Sequence, residues 1–117
     1  MSLKTSTLES GIGLIEPSGS LIGGEETDRL RRTVADFVER NYDKLLIDLS
    51  AVTYLNSTAI GVLVSAHTTY TKKGWSIKLC GVNKNIDSIF VITRLTLVFD
   101  VHETREDAVK DFAPTGL

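Results

Sequence analysis

Apolar residues along this chain follow two rhythms, a period of two in short runs and a period of roughly 3.6 in longer ones. Residues 4–9 and 12–16 are short, partly alternating segments broken by Ser10-Gly11, and they read as two strands joined by a turn. Pro17, Gly19 and the pair Gly23-Gly24 then mark a loop with permissive backbone geometry. Beyond it, Leu30, Val34, Phe37 and Val38 fall at i, i+4, i+7 and i+8. That spacing makes one apolar helical stripe and turns Arg29, Arg31, Arg32, Asp36 and Glu39 outward. Glu25 and Glu26 stand where a helix N-terminus favours negative charge, and the helix should end near Arg40-Asn41.

Residues 45–49 form a continuous apolar run interrupted by Asp48, about the length of a strand buried on both faces. Residues 50–56 read as a short connection, and a second helical pattern opens at Ser57. Its inward stripe is Ile60, Leu63, Val64 and His67, and Gly74 stops it after Lys72-Lys73. Residues 76–80 alternate as a further strand with Ile77 and Leu79 on one face. Ile86, Ile89 and Phe90 suggest a third helix from about Lys84. Residues 98–101 read as a short final strand and 106–112 as a closing helix. Strands alternating with helices define an α/β sheet domain. With 117 residues there is room for one packed core, spanning roughly residues 4–112.

Composition narrows the function more than the fold. Thirteen Lys and Arg against fifteen Asp and Glu give a net charge of −2, which argues against nucleic-acid binding. The single Cys80 permits no internal disulfide and no cysteine-rich zinc site. The two histidines, His67 and His102, argue against a His-based catalytic metal site, so no metal or cofactor is expected. The first residues lack the apolar core of a signal peptide, no apolar run is long enough to span a bilayer, and no lipidation motif is present. A cytoplasmic domain without membrane insertion is the expectation.

The chemistry concentrates in Asn56-Ser57-Thr58, three small polar residues where a buried strand and loop meet a helix start. Each can accept a hydrogen bond from an orphan helical N–H, so one reading is capping alone. The other makes Ser57 a phosphate acceptor, since a phosphoserine there adds about −1.5 to −2 charges at a helix end that favours them. The same triplet matches a glycosylation sequon, a coincidence in a chain with no secretory signal. Asp48 at a strand end suggests a phospho-aspartate receiver, but the early pair of magnesium-binding acids is missing. A serine hydrolase needs a base. His67, ten residues beyond Ser57 on one helix, lies about 15 Å along the axis and reads as a packing residue. Gly11-Ile12-Gly13 and Gly23-Gly24 lack the spacing of a phosphate fingerprint, although the N–H groups of Gly23-Gly24 are placed to face the edge that carries Ser57. His102 reads as an exposed strand end, Cys80 as a small core residue, and Trp75 as either core or binding edge.

Taken with their neighbours, these residues resemble the STAS domains of bacterial anti-sigma-factor antagonists. The pattern is carried by Asp48-Leu49-Ser50, Val52 and Leu55, then Asn56-Ser57-Thr58-Ala59-Ile60-Gly61. Gly81-Val82, Ile92-Thr93-Arg94-Leu95 and Val98-Phe99 extend it over nearly the whole chain. The resemblance implies a mixed β-sheet flanked by α-helices and no enzymatic activity. It implies binding to an anti-sigma factor that is also a serine kinase, release of the sigma factor, and phosphorylation of Ser57 reversed by a serine phosphatase. The partner-binding surface it points to comprises Gly23, Gly24, Glu25, Asn56, Thr58, Ile60 and Gly61. Asn56 and Ile22 stand where the family carries acids. Those two changes favour an alternative, a constitutive scaffold or transport-complex subunit.

Overall fold

The two rhythms resolve into strands and helices over residues 3–112, the part of the chain described by this computed structural model. The strands are β1 (Leu3–Thr7), β2 (Gly13–Pro17), β3 (Gly19–Leu21), β4 (Lys44–Asp48), β5 (Val52–Leu55), β6 (Ser76–Cys80) and β7 (Val101–His102). The helices are α1 (Glu25–Glu39), α2 (Ser57–Lys72), α3 (Lys84–Ile92) and α4 (Arg105–Phe112). The main sheet has the order β1-β2-β4-β6-β7. β1 runs antiparallel to β2 and every other pair in it is parallel, so the sheet is mixed as expected. Ser10 and Gly11, both with positive φ, make the tight turn between β1 and β2.

β4 lies at the centre of the sheet, and its alternation divides the core. Leu45 and Ile47 join Ile15, Leu79 and the apolar faces of α1, α2 and α3. Leu46 faces the other way, with Leu14, Cys80 and the Ala108 and Phe112 side chains of α4. The apolar run of residues 45–49 is therefore buried on both faces, and Cys80 is a core residue whose thiol pKa burial pushes up to about 12.

Four expectations change. Residues 50–56 contain a strand, β5, which pairs in parallel with β3 as a separate two-stranded sheet. Residues 98–100 are not strand, since a 3-10 turn at Leu95–Leu97 carries Phe99 into the core and pairing begins at Val101. The buried face of α2 is Ala59, Val62, Leu63, Ala66 and Tyr70, leaving Ile60, Val64 and His67 half-buried beside it. His102 is also half-buried, its Nε2 3.1 Å from Asp100 Oδ1 and 3.5 Å from Asp111 Oδ2.

The reason for that last change is Lys78, which strand alternation turns under α4 between Leu46 and Phe112. Its ammonium bonds the carboxylates of Asp100 and Asp111. Burial opposes the charge, but those two acids outweigh it and hold the Lys78 pKa above its ordinary value. The ligating atoms of Asp100, His102 and Asp111 lie within 4.8 Å of one another, and the cation bonded to both acids is the chain's own. Trp75 is half-buried and stacks edge-on to Tyr70 at 5.5 Å.

Candidate functional site

The small sheet sets the geometry at Ser57. Leu21 pairs with Leu55, both buried, while Ser20 and Thr53 turn outward with their hydroxyls 3.2 Å apart. The chain leaves β5 through Asn56, whose N–H donates to the Leu21 carbonyl at 3.1 Å. Asn56 has extended dihedrals, and its Oδ1 accepts from the Ala59 N–H at 3.0 Å. Its carbonyl accepts from the Ile60 N–H, also at 3.0 Å. Asn56 is thus the N-cap, and Ser57 and Thr58 are the first two helical residues, both exposed. The capping and acceptor readings therefore fall on different side chains, because the cap is supplied without Ser57. Asn56→Ala should cost about 1 kcal/mol by chemical denaturation, whereas Asn56→Asp, which keeps the acceptor and adds charge at the helix N-terminus, should cost nothing.

The loop before α1 closes against this helix start. Gly23 has φ +89°, and a Cβ built on it would lie 3.4 Å from Thr58 Cβ. Gly23 and Thr58 are therefore brought together as the sequence suggested. The Gly23 N–H, however, donates to Thr27 Oγ1 at 2.9 Å and is not free for a ligand, which corrects part of the expectation for Gly23-Gly24. Gly24 is the extended N-cap of α1, and Glu25 is exposed in its first turn. Ile60 is half-buried. Gly61 is exposed in a groove of about 680 Å³ between α1 and α2, whose walls include Val34, Val38, Thr58 and Val62.

Two exposed apolar residues near the site were not read as part of it in the sequence. Ile22 follows β3 directly and is 59% exposed, and Tyr54, opposite Ser20, is 49% exposed. Ile22 was legible only as a missing acid; it is an exposed apolar side chain one residue beyond the Leu21–Asn56 bond. Tyr54 was signalled only by the apolar-polar-aromatic-apolar string of β5, which does not alternate. No base is aimed at Ser57 by His67, whose ring packs edge-on to Phe99 at 5.8 Å.

Below the site, Asp48 fixes the segment that leads to β5. Its Oδ1 accepts from the Ser50 N–H at 2.9 Å and its Oδ2 from Arg105 Nη2 at 3.0 Å. Arg105 Nη2 also donates to Glu16 Oε1 at 2.7 Å, so one guanidinium joins the ends of β2 and β4 to the start of α4. Burial raises the Asp48 pKa, but the Ser50 and Arg105 hydrogen bonds outweigh it and hold the carboxyl below its ordinary value. Gly81, at φ +71°, leaves the space this turn needs, since a Cβ there would lie 2.7 Å from Asp48 Oδ1.

This arrangement, an Asp-Leu-Ser turn feeding a capped helix with a free serine, coincides with a family model for the STAS domain that matches residues 6–108. The chain belongs to the STAS domain family. The anti-sigma-B factor antagonist of Bacillus subtilis is 32% identical over 81 residues, 69% of this chain and 73% of that protein. Among solved structures, TM1081 of Thermotoga maritima superposes with a TM-score of 0.87 at 20% identity, covering 94% of this chain and 93% of that one. The Bacillus cell fate determinant SpoIIAA in its phosphorylated form superposes with a TM-score of 0.75 at 11% identity, covering 96% of this chain and all of that one. At such identities the two structures show a shared fold. In this STAS domain no helix among the described residues is long and apolar enough to cross a membrane.

Proposed function

We propose that this STAS domain is an anti-sigma-factor antagonist whose partner is an anti-sigma factor with serine kinase activity, and that phosphorylation of Ser57 ends the complex. The observation that carries the reading is an exposed Ser57 at the first position of α2, with the cap already made by Asn56. A phosphate there costs the fold little, because the helix end favours negative charge by about 0.3–1 kcal/mol. It costs the interface much more. About −1.5 to −2 charges would be added to a contact surface that must be desolvated. Charge alone does the switching, with no rearrangement of the domain.

The partner surface is Gly23, Gly24, Glu25, Asn56, Thr58, Ile60 and Gly61, with Ile22 and Tyr54 added as apolar contacts. A serine phosphatase resets Ser57, and both reactions place the domain in the cytoplasm. The reading is tested by titrating a candidate anti-sigma kinase with the wild type, Ser57→Ala and Ser57→Asp, then mapping phosphate after incubation with ATP. Expected are wild-type-like binding by Ser57→Ala without labelling, and affinity reduced roughly tenfold or more for Ser57→Asp. Phosphate found only on other residues, or equal affinity for all three proteins, would overturn the switch and leave a constitutive scaffold.

A further inference from the structure

α1 has two flanks, and only one of them faces the groove beside Ser57. The other turns toward β1 and borders a second cleft of about 290 Å³, lined by Thr5, Arg29, Arg32, Asp36, Phe37 and Arg40 among others. Three guanidiniums against one carboxylate leave two positive charges at this cleft, in a chain whose net charge is −2.

The three arginines are not equivalent. Arg40 is held in place, its guanidinium carbon 5.2 Å from the Phe37 ring centre and 4.9 Å from that of Tyr42. Its Nε also lies 3.6 Å from Asp36 Oδ2, so the only carboxylate of the cleft is already matched. Arg29 and Arg32 have no acidic partner among the described residues. Arg31, one step round the helix, shows the contrast by donating to Asp28 at 2.6 Å. Arg29 and Arg32 thus line the cleft as unpaired forked donors beside a fixed third cation, a set that matches the oxygens of a phosphate group. The Thr5 side chain adds a hydroxyl from β1, while the Thr33 hydroxyl is committed to the Arg29 carbonyl at 2.7 Å.

We propose that this cleft binds a phosphate-bearing anion, with Arg29 and Arg32 as the forked donors and the stacked Arg40 as the fixed third cation. The site is separate from the Ser57 face, and its occupancy does not depend on the switch. The chemistry is that of a phosphate or diphosphate group, whether carried by a soluble compound or by a lipid headgroup.

Calorimetric titration of the full chain with pyrophosphate tests the site, beside sedimentation with vesicles of equal parts phosphatidylcholine and phosphatidylglycerol. Saturable pyrophosphate binding is expected, weakened roughly tenfold or more in Arg29→Gln/Arg32→Gln and unchanged in Arg31→Gln. An unchanged melting temperature shows that the double variant is folded. The Arg29→Lys/Arg32→Lys pair keeps the charge but loses the fork, and it too should bind more weakly. Vesicle binding displaced by pyrophosphate assigns the site to a headgroup, and pyrophosphate binding without vesicle binding assigns it to a soluble ligand. Absence of saturable binding, equal binding by the double variant, or vesicle binding that pyrophosphate leaves untouched overturns the proposal.

Discussion

Phe90→Ala should lower the stability of this domain by about 3–5 kcal/mol, the cost of emptying a fully buried aromatic site. Phe90 is 0% exposed, with its ring 5.5 Å from that of Phe99. It and Ile86 are the buried residues of α3, whose outer residues Val91 and Ile92 face solvent. Losing Phe90 therefore removes most of what holds α3 to the sheet and unseats Phe99. The effect should reach β5, because Asn83 at the α3 N-cap donates its Nδ2–H to the Val52 carbonyl at 2.7 Å. Since domains of this size have roughly 5–15 kcal/mol in total, much of the margin would be gone. Urea denaturation of the two proteins measures it, and a loss below about 1 kcal/mol would contradict this packing.

Arg105→Met should cost about 2 kcal/mol at neutral pH. The figure is below the roughly 3–5 kcal/mol of a fully buried pair because the Arg105 side chain is 37% exposed and part of its charge is screened by water. What remains after the change is a buried Asp48 carboxylate with the Ser50 N–H as its hydrogen-bond donor. Asp48 has a folded pKa below its ordinary 3.8, so its ionised form contributes stability above that value. The contribution is lost as pH falls through the folded pKa. Without the guanidinium, burial is opposed by Ser50 alone, and the carboxyl pKa rises relative to that of the wild type. The deficit of the variant should therefore be greatest at neutral pH and shrink on acidification below about pH 4. Paired denaturation curves at neutral and acid pH read this directly, and a deficit that grows in acid would contradict the assigned role of Arg105.

The fold was legible where burial imposes a period. Leu30, Val34 and Phe37 announced α1, and the run of residues 45–49 announced the central strand with its two buried faces. β3 and β5 escaped because each pairs only with the other and each is too short to establish alternation. Only the ends of Val52–Leu55 are buried. The inward face of α2 was misplaced for a related reason. Its small residues Ala59 and Ala66 are fully covered while the larger Ile60 and Val64 lie at the margin, so size misled where periodicity alone would not. At the site, Asn56-Ser57-Thr58 marked the helix start correctly because capping is local chemistry. Ile22 and Tyr54 could not be placed, since their exposure depends on strand pairing between segments over thirty residues apart. His102 was misjudged because its neighbours Lys78 and Asp111 come from β6 and α4, and no local pattern connects them.

The unequal covering of the main sheet bears on how the molecule fluctuates. Three helices share one face, while α4 covers the other with the buried side chains of Ala108 and Phe112 and the ionic ties of Lys78 and Arg105. A layer with so few buried groups is the natural unit of partial opening, detaching at a free-energy cost well below that of global unfolding. Ser57 lies on the thickly covered side, where release of α2 would expose a core shared by three helices. The serine is thus displayed from the side of the sheet where local opening should cost more, because it would uncover the larger of the two cores.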